Sequence, residues 1–137
     1  MRLAPFFAVM MMAIAPAAAG EAEVAAAQAT VGNQIEAFRA GDDARAYGYA
    51  APGIRRIFPT LDAFMAMVKG AYQPVYKPQR YSFGPAEEPG ADTVLQRVQL
   101  TGPDGKDYEA LYSVQRQPDG TYLINGVSLR AAGSLST

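Results

Sequence analysis

An α+β fold, with N-terminal helices packed on a curved four-stranded antiparallel meander, is predicted by three features of the chain. Apolar residues before Tyr72 recur at helical spacing, and those after Pro78 alternate with period two. Two loops of one design, Pro103-Asp104-Gly105 and Pro118-Asp119-Gly120, cut the second half into strands of similar length, and each suits a type I turn closed by a left-handed glycine. The halves join at Tyr72-Gln73-Pro74-Val75-Tyr76-Lys77-Pro78. Both prolines fix φ at about −65° and lack an N–H, and the residues before them are disfavoured in the α region. An extended, polyproline-like strap is therefore expected there.

The chain opens with a short positive start, Met1-Arg2, then an apolar run from Leu3 to Ile14, then Pro16-Ala17-Ala18-Ala19 as a small-residue cleavage site before Gly20. The expectation is a signal peptide over residues 1–19, a single α+β domain over 20–137 with a short flexible C-terminal tail, and a periplasmic or secreted location. From Glu21 to Ala40, Val24, Val31, Ile35 and Phe38 fall on one helical stripe, which Gly41 ends. Asp42 and Asp43 offer an N-cap for a shorter helix through Tyr47 to about Ala50; Pro52-Gly53 breaks it, and Ile54 to Phe58 makes another turn. Thr60 caps a third main helix whose Leu61, Phe64, Met65, Val68 and Tyr72 share a face, with Asp62 set favourably in its first turn.

Four strands follow, Gln79 to Phe83, Thr93 to Thr101, Tyr108 to Arg116 and Thr121 to Leu129, with Gly84 to Gly90 read as a loop. Pairing Gly102 with Lys106 sets Val98 opposite Ala110 and Gln96 opposite Tyr112. Pairing Gln117 with Thr121 sets Val114 opposite Ile124 and Tyr112 opposite Gly126. Even-numbered residues from Val94 to Ser128 then share the face that the helices cover. The odd face is more apolar than solvent requires, and a homodimer through Leu95, Leu111, Leu123 and Val127 is a candidate partner surface.

Composition removes several functions. The chain has no cysteine and no histidine, so it lacks their nucleophiles, bases and soft metal ligands; neither a metal nor a cofactor is expected. Lys plus Arg number 12 against 13 Asp plus Glu, with no basic tract beyond Arg55-Arg56, which gives no footing for nucleic acid. The inner sheet face carries no carboxylate, and tyrosine, with its pKa about 10, is a poor general base at neutral pH. Catalysis would need a helix carboxylate, with Glu36, Asp42, Asp43 and Asp62 available. The candidate ligand-binding set is Tyr47, Phe58, Met65, Tyr76, Gln96, Tyr108 and Tyr112, in which Gln96 and Tyr112 either bond each other or await a guest.

Helices followed by a twisted meander, closing on a Pro-Asp-Gly turn and Thr121-Tyr122-Leu123-Ile124-Asn125-Gly126, resemble the cone of nuclear transport factor two-like proteins. Ala51-Pro52-Gly53-Ile54, Phe58, Phe64, Met67-Val68, the Tyr72 to Pro78 segment and Arg116-Gln117-Pro118-Asp119-Gly120 together resemble an exported proteobacterial family known as a domain of unknown function. The resemblance covers nearly all of the chain after residue 19 and implies a fold and a compartment. It carries over no activity. The larger group includes ketosteroid isomerase, scytalone dehydratase, polyketide cyclases and many non-catalytic modules, and fold alone does not choose among them. A non-catalytic binding module for an apolar or aromatic small molecule is the leading expectation. An assembly module dimerising through the outer sheet face is the alternative, and an isomerase- or dehydratase-like enzyme is the third.

Overall fold

The alanine-rich stretch Glu21–Arg39 forms the long helix α1, with Glu21 and Glu23 at its positive end and Arg39 at its negative end. The computed structural model describes residues 20–132, so the expected signal peptide and the last residues of the tail lie outside the described residues. Gly41, at φ 74°, ends α1 in a left-handed cap: its N–H donates to Phe38 O at 3.0 Å and that of Asp42 to Ala37 O at 2.8 Å. Lys77, from the other end of the helical half, seats its Nζ on Phe38 O at 2.7 Å and so supplies a cation to the same terminus.

Helix α2, Asp43–Tyr47, starts as expected on Asp42, whose side chain accepts from Arg45 N–H. Pro52 does not break a helix. It opens α3, Pro52–Ile57, standing where a missing N–H costs nothing. Helix α4, Leu61–Ala71, is capped by Thr60 Oγ1 accepting from Ala63 N–H at 3.1 Å, and it buries Phe64, Met65 and Val68. The expected strap is corrected. Gln73–Tyr76 closes into a short helix, α5, because Pro74 falls within the first turn, where its ring is tolerated, while Lys77, held before Pro78, takes a non-helical conformation.

The sheet comprises β1, Arg80–Gly90, β2, Thr93–Thr101, β3, Asp107–Arg116, and β4, Tyr122–Ala131, in the order β1-β2-β3-β4, all antiparallel. Both Pro-Asp-Gly loops close as expected, with Gly105 at φ 80° and Gly120 at φ 90° and N–H bonds from Gly102 to Lys106 O and from Gln117 to Thr121 O. Between β2 and β3 the register is the expected one throughout. The segment expected as a loop after Phe83 is instead a continuation of β1, which keeps its prolines because it is an edge strand and slips register between Phe83 and Ala86.

The decisive departure is on β4. Val114 pairs with Ile124 as expected, but Ser113 pairs with Gly126, leaving Asn125 unpartnered in a β-bulge, and Tyr112 then pairs with Val127 rather than Gly126. Parity reverses from that point. Val127 and Leu129 pack against the core and Ser128 is exposed, so Val127 leaves the outer face on which a dimer had been expected. Leu95, Leu111 and Leu123 stay outside, half-buried, beside Glu109, which is bonded to Gln99, Arg130 and, at 3.8 Å, Arg97.

Two apolar clusters result. One joins α1, through Ala27, Val31 and Ile35, to Val94, Val98, Ala110, Tyr112, Val114 and Ile124 of the sheet. The other is helical, uniting Phe38 with Ala46, Phe64, Met65 and Val68. Within the first, the Tyr112 hydroxyl is sealed without a hydrogen-bond partner among the described residues, and burial, with Tyr81 second, pushes its pKa up. An unmet buried hydroxyl destabilises by roughly 1–3 kcal/mol. Tyr112→Phe is therefore expected to be neutral or stabilising by about 1 kcal/mol in denaturant melts; a loss of that size would mean the hydroxyl is bonded after all.

Glu109 gives a pH prediction. Hydrogen bonds from Gln99, then from Arg130, hold its pKa below the usual carboxylate range, so its contribution is present above the unfolded-state pKa and lost as pH falls through the folded-state value. Glu109→Gln should flatten the fall in melting temperature on the acid side of that range. An unchanged acid limb would place the lability on other carboxylates.

Candidate functional site

Where the two clusters meet, packing is incomplete, and a cavity of about 210 Å³ remains. Helix α1 supplies Gln34 and Phe38; Ala50, Ile54 and Phe58 come from α3 and its flanks; Phe64, Met67, Val68 and Tyr72 come from α4 and its cap; Val75 comes from α5. The floor is Ile124, Gly126 and Val127 on either side of the bulge. The wall is overwhelmingly apolar, with Gln34 and Tyr72 as its polar side chains. Gln34 Nε2 donates to Ala46 O at 3.1 Å, and Tyr72 Oη donates to Val127 O at 3.2 Å.

The cavity side of α3 is held by polar bonds rather than burial. No residue of α3 is fully buried. Tyr47 Oη donates to Phe58 O, and Arg55 lies 4.7 Å from the Tyr47 ring centroid while donating to Ala50 O and Tyr47 O. The segment between α2 and α3 is pinned to the sheet by Ala51 N–H to Ile124 O and Ile124 N–H to Tyr49 O, both 2.8 Å, which covers the β4 edge just before the bulge.

The structure separates the seven residues grouped from sequence. Phe58 stands on the cavity wall. Tyr47, Met65 and Tyr76 belong to the helical cluster behind it, Tyr47 against Phe64 at 4.9 Å and Tyr76 edge-on to Phe38 at 5.6 Å, with Lys77 and Lys69 over the Tyr76 ring. Gln96 and Tyr112 face each other but do not bond. Gln96 accepts from Gln28 Nε2 at 3.2 Å and gives its own Nε2 to Gly84 O and Arg97 O, both at 2.8 Å, the carbonyls flanking the β1 irregularity where Pro85 has no N–H to offer. Tyr108 is at the hairpin end, bonded to Asp104 at 2.6 Å. Among the wall residues sequence reasoning missed, Gln34 had a signal: it is an amide beside Val31, Ile35 and Phe38 on the buried stripe of α1. Val127 had none, because its inward direction comes from the bulge.

Comparison with known families gives one match. Residues 20–137 match the family described as "Domain of unknown function (DUF4864)". The chain belongs to this family. No curated protein and no solved structure matches it. The family match begins at the residue that opens α1 and takes in every wall residue of the cavity. Among the described residues, no helix is long and apolar enough to cross a membrane, and no three acidic side chains gather as a metal site would require.

Because Val68 is buried against an actual void, Val68→Phe is expected to be neutral or to raise the melting temperature. A filled core would instead lose about 1–3 kcal/mol to overpacking. Thermal and denaturant melts of the variant distinguish the two.

Proposed function

We propose that this protein is a non-catalytic binding module for a small apolar or aromatic molecule, held in the cavity between the helical cluster and the sheet. The observation that carries the reading is a cavity of about 210 Å³ with an apolar, aromatic-rich wall at the junction of the two apolar clusters. An engineered void of about 150 Å³ lined by Leu, Ile and Phe holds benzene, so this one has room for a benzene ring with a few further carbons. No Asp or Glu stands among the wall residues, which weighs against an isomerase- or dehydratase-like reaction there. The assembly reading is weaker, since Val127 points inward and Leu95, Leu111 and Leu123 share the outer face with the Glu109 ion pairs.

Two further parts belong to the proposal. The fold is of the nuclear transport factor two-like type, supported by helices leading into a four-stranded antiparallel meander that bulges bend at both edge strands. The protein works outside the cytoplasm, supported by the apolar leader with its Ala17 and Ala19 cleavage signature and by a family match that starts at residue 20. Native mass spectrometry of the protein recovered from its producing cell is expected to find a retained neutral mass that Val68→Phe loses while staying folded. A ligand-free wild type that also fails to bind small alkylbenzenes saturably would overturn the binding reading.

A further inference from the structure

We infer that the cavity selects neutral guests that carry a hydrogen-bond donor, and that Gln34 is the residue that selects them. This rests on the binding reading above. Gln34 is 4% exposed and stands on the cavity wall. Its Nε2 is committed to Ala46 O, which also fixes the orientation of the amide, and no described residue donates to its Oε1. Oε1 is not among the sealed, unpartnered polar atoms, so it stays open to water or to a guest, and a guest that displaces the water without offering a donor loses that hydrogen bond. The other polar wall group, the Tyr72 hydroxyl, spends its proton on Val127 O and so also offers an acceptor.

Charge narrows the guest further. No Lys or Arg reaches the wall: Arg55 is bonded to Ala50 O and Tyr47 O, and Lys77 to Phe38 O. A carboxylate or phosphate placed inside this cavity, away from its opening, would be desolvated with no cation to meet it, which weighs against guests that bury an anionic group there. A phenol or alcohol instead brings an O–H to the open Oε1 and an apolar body to Phe38, Phe58 and Val68. The chemical class is a neutral alkylphenol-like or alcohol-bearing hydrophobe.

The probes are para-propylphenol, propylbenzene and para-propylanisole, which share a body and differ in having a donor, nothing polar, or an acceptor only. Calorimetric titration of the protein should rank the phenol about fivefold above the other two, the size expected of one neutral hydrogen bond. Methyl resonances of Val68, Ile124 and Val127 should shift, locating the guest. Gln34→Met should erase the preference while leaving propylbenzene affinity within about twofold, and Tyr72→Phe should keep it. Equal affinity of wild type for all three would overturn the inference while leaving the binding reading intact. So would a preference that survives Gln34→Met or vanishes in Tyr72→Phe. Absence of saturable binding by any of the three would overturn both. If Gln34→Met fails to fold, the wild-type ranking together with Tyr72→Phe still decides.

Discussion

The unpaired Asn125 on β4 is the constraint on which the cavity of this molecule depends. A strand that pairs residue for residue keeps its inward set on one parity to the end, and in such a strand Gly126 and Ser128 would face the helices. One extra residue reverses that and turns Val127 and Leu129 inward. Ile124 before the bulge and Val127 after it become the cavity floor, and the outer face loses two of its apolar residues. The bulge sits beside the point where Tyr49 and Ala51 grip both backbone groups of Ile124, so the strand is held fast where its direction changes.

The cavity follows from how the two clusters meet. Each is closed within itself: α1 lies on the sheet through small and branched residues, while Phe38, Phe64 and Met65 fill the space among the helices. Helix α3, beside the cavity, is short, opened by Pro52 and followed by Pro59, and buries nothing completely. Its attachment by Tyr47, Arg55 and backbone bonds fixes position without supplying side-chain volume. A void lined on one side by such an element can remain open without collapse, because the groups that would close it are already bonded elsewhere.

Polar satisfaction explains the fate of the other buried side chains. Gln96 is a structural amide that replaces ladder bonds lost at Pro85, and Lys77 is a helix cap. Tyr112 is left unsatisfied because Gln96, its register partner, is already engaged with the Gln28 side chain and with the carbonyls of Gly84 and Arg97. Gln34 differs from these in standing at the cavity with its acceptor open.

Sequence alone determined the elements whose causes are local. Helical stripes, the Asp42 and Thr60 caps, Gly41, both Pro-Asp-Gly turns and the β2–β3 register were all legible, because each rests on neighbours in the chain or on a turn of fixed length. The helical turn at Gln73–Tyr76 was not, since proline excludes helix interiors but accepts a first turn, and only packing against α1 and α4 chooses between strap and helix. Nor was the bulge at Asn125: nothing local forbids even pairing, and the extra residue lies beside a contact of residues 49–51 with Ile124, far apart in sequence. Tertiary structure therefore decided the direction of Val127, the separation of Gln96 and Tyr112 from the cavity, and the existence of the cavity itself, because a void is set by surfaces that different elements present to one another.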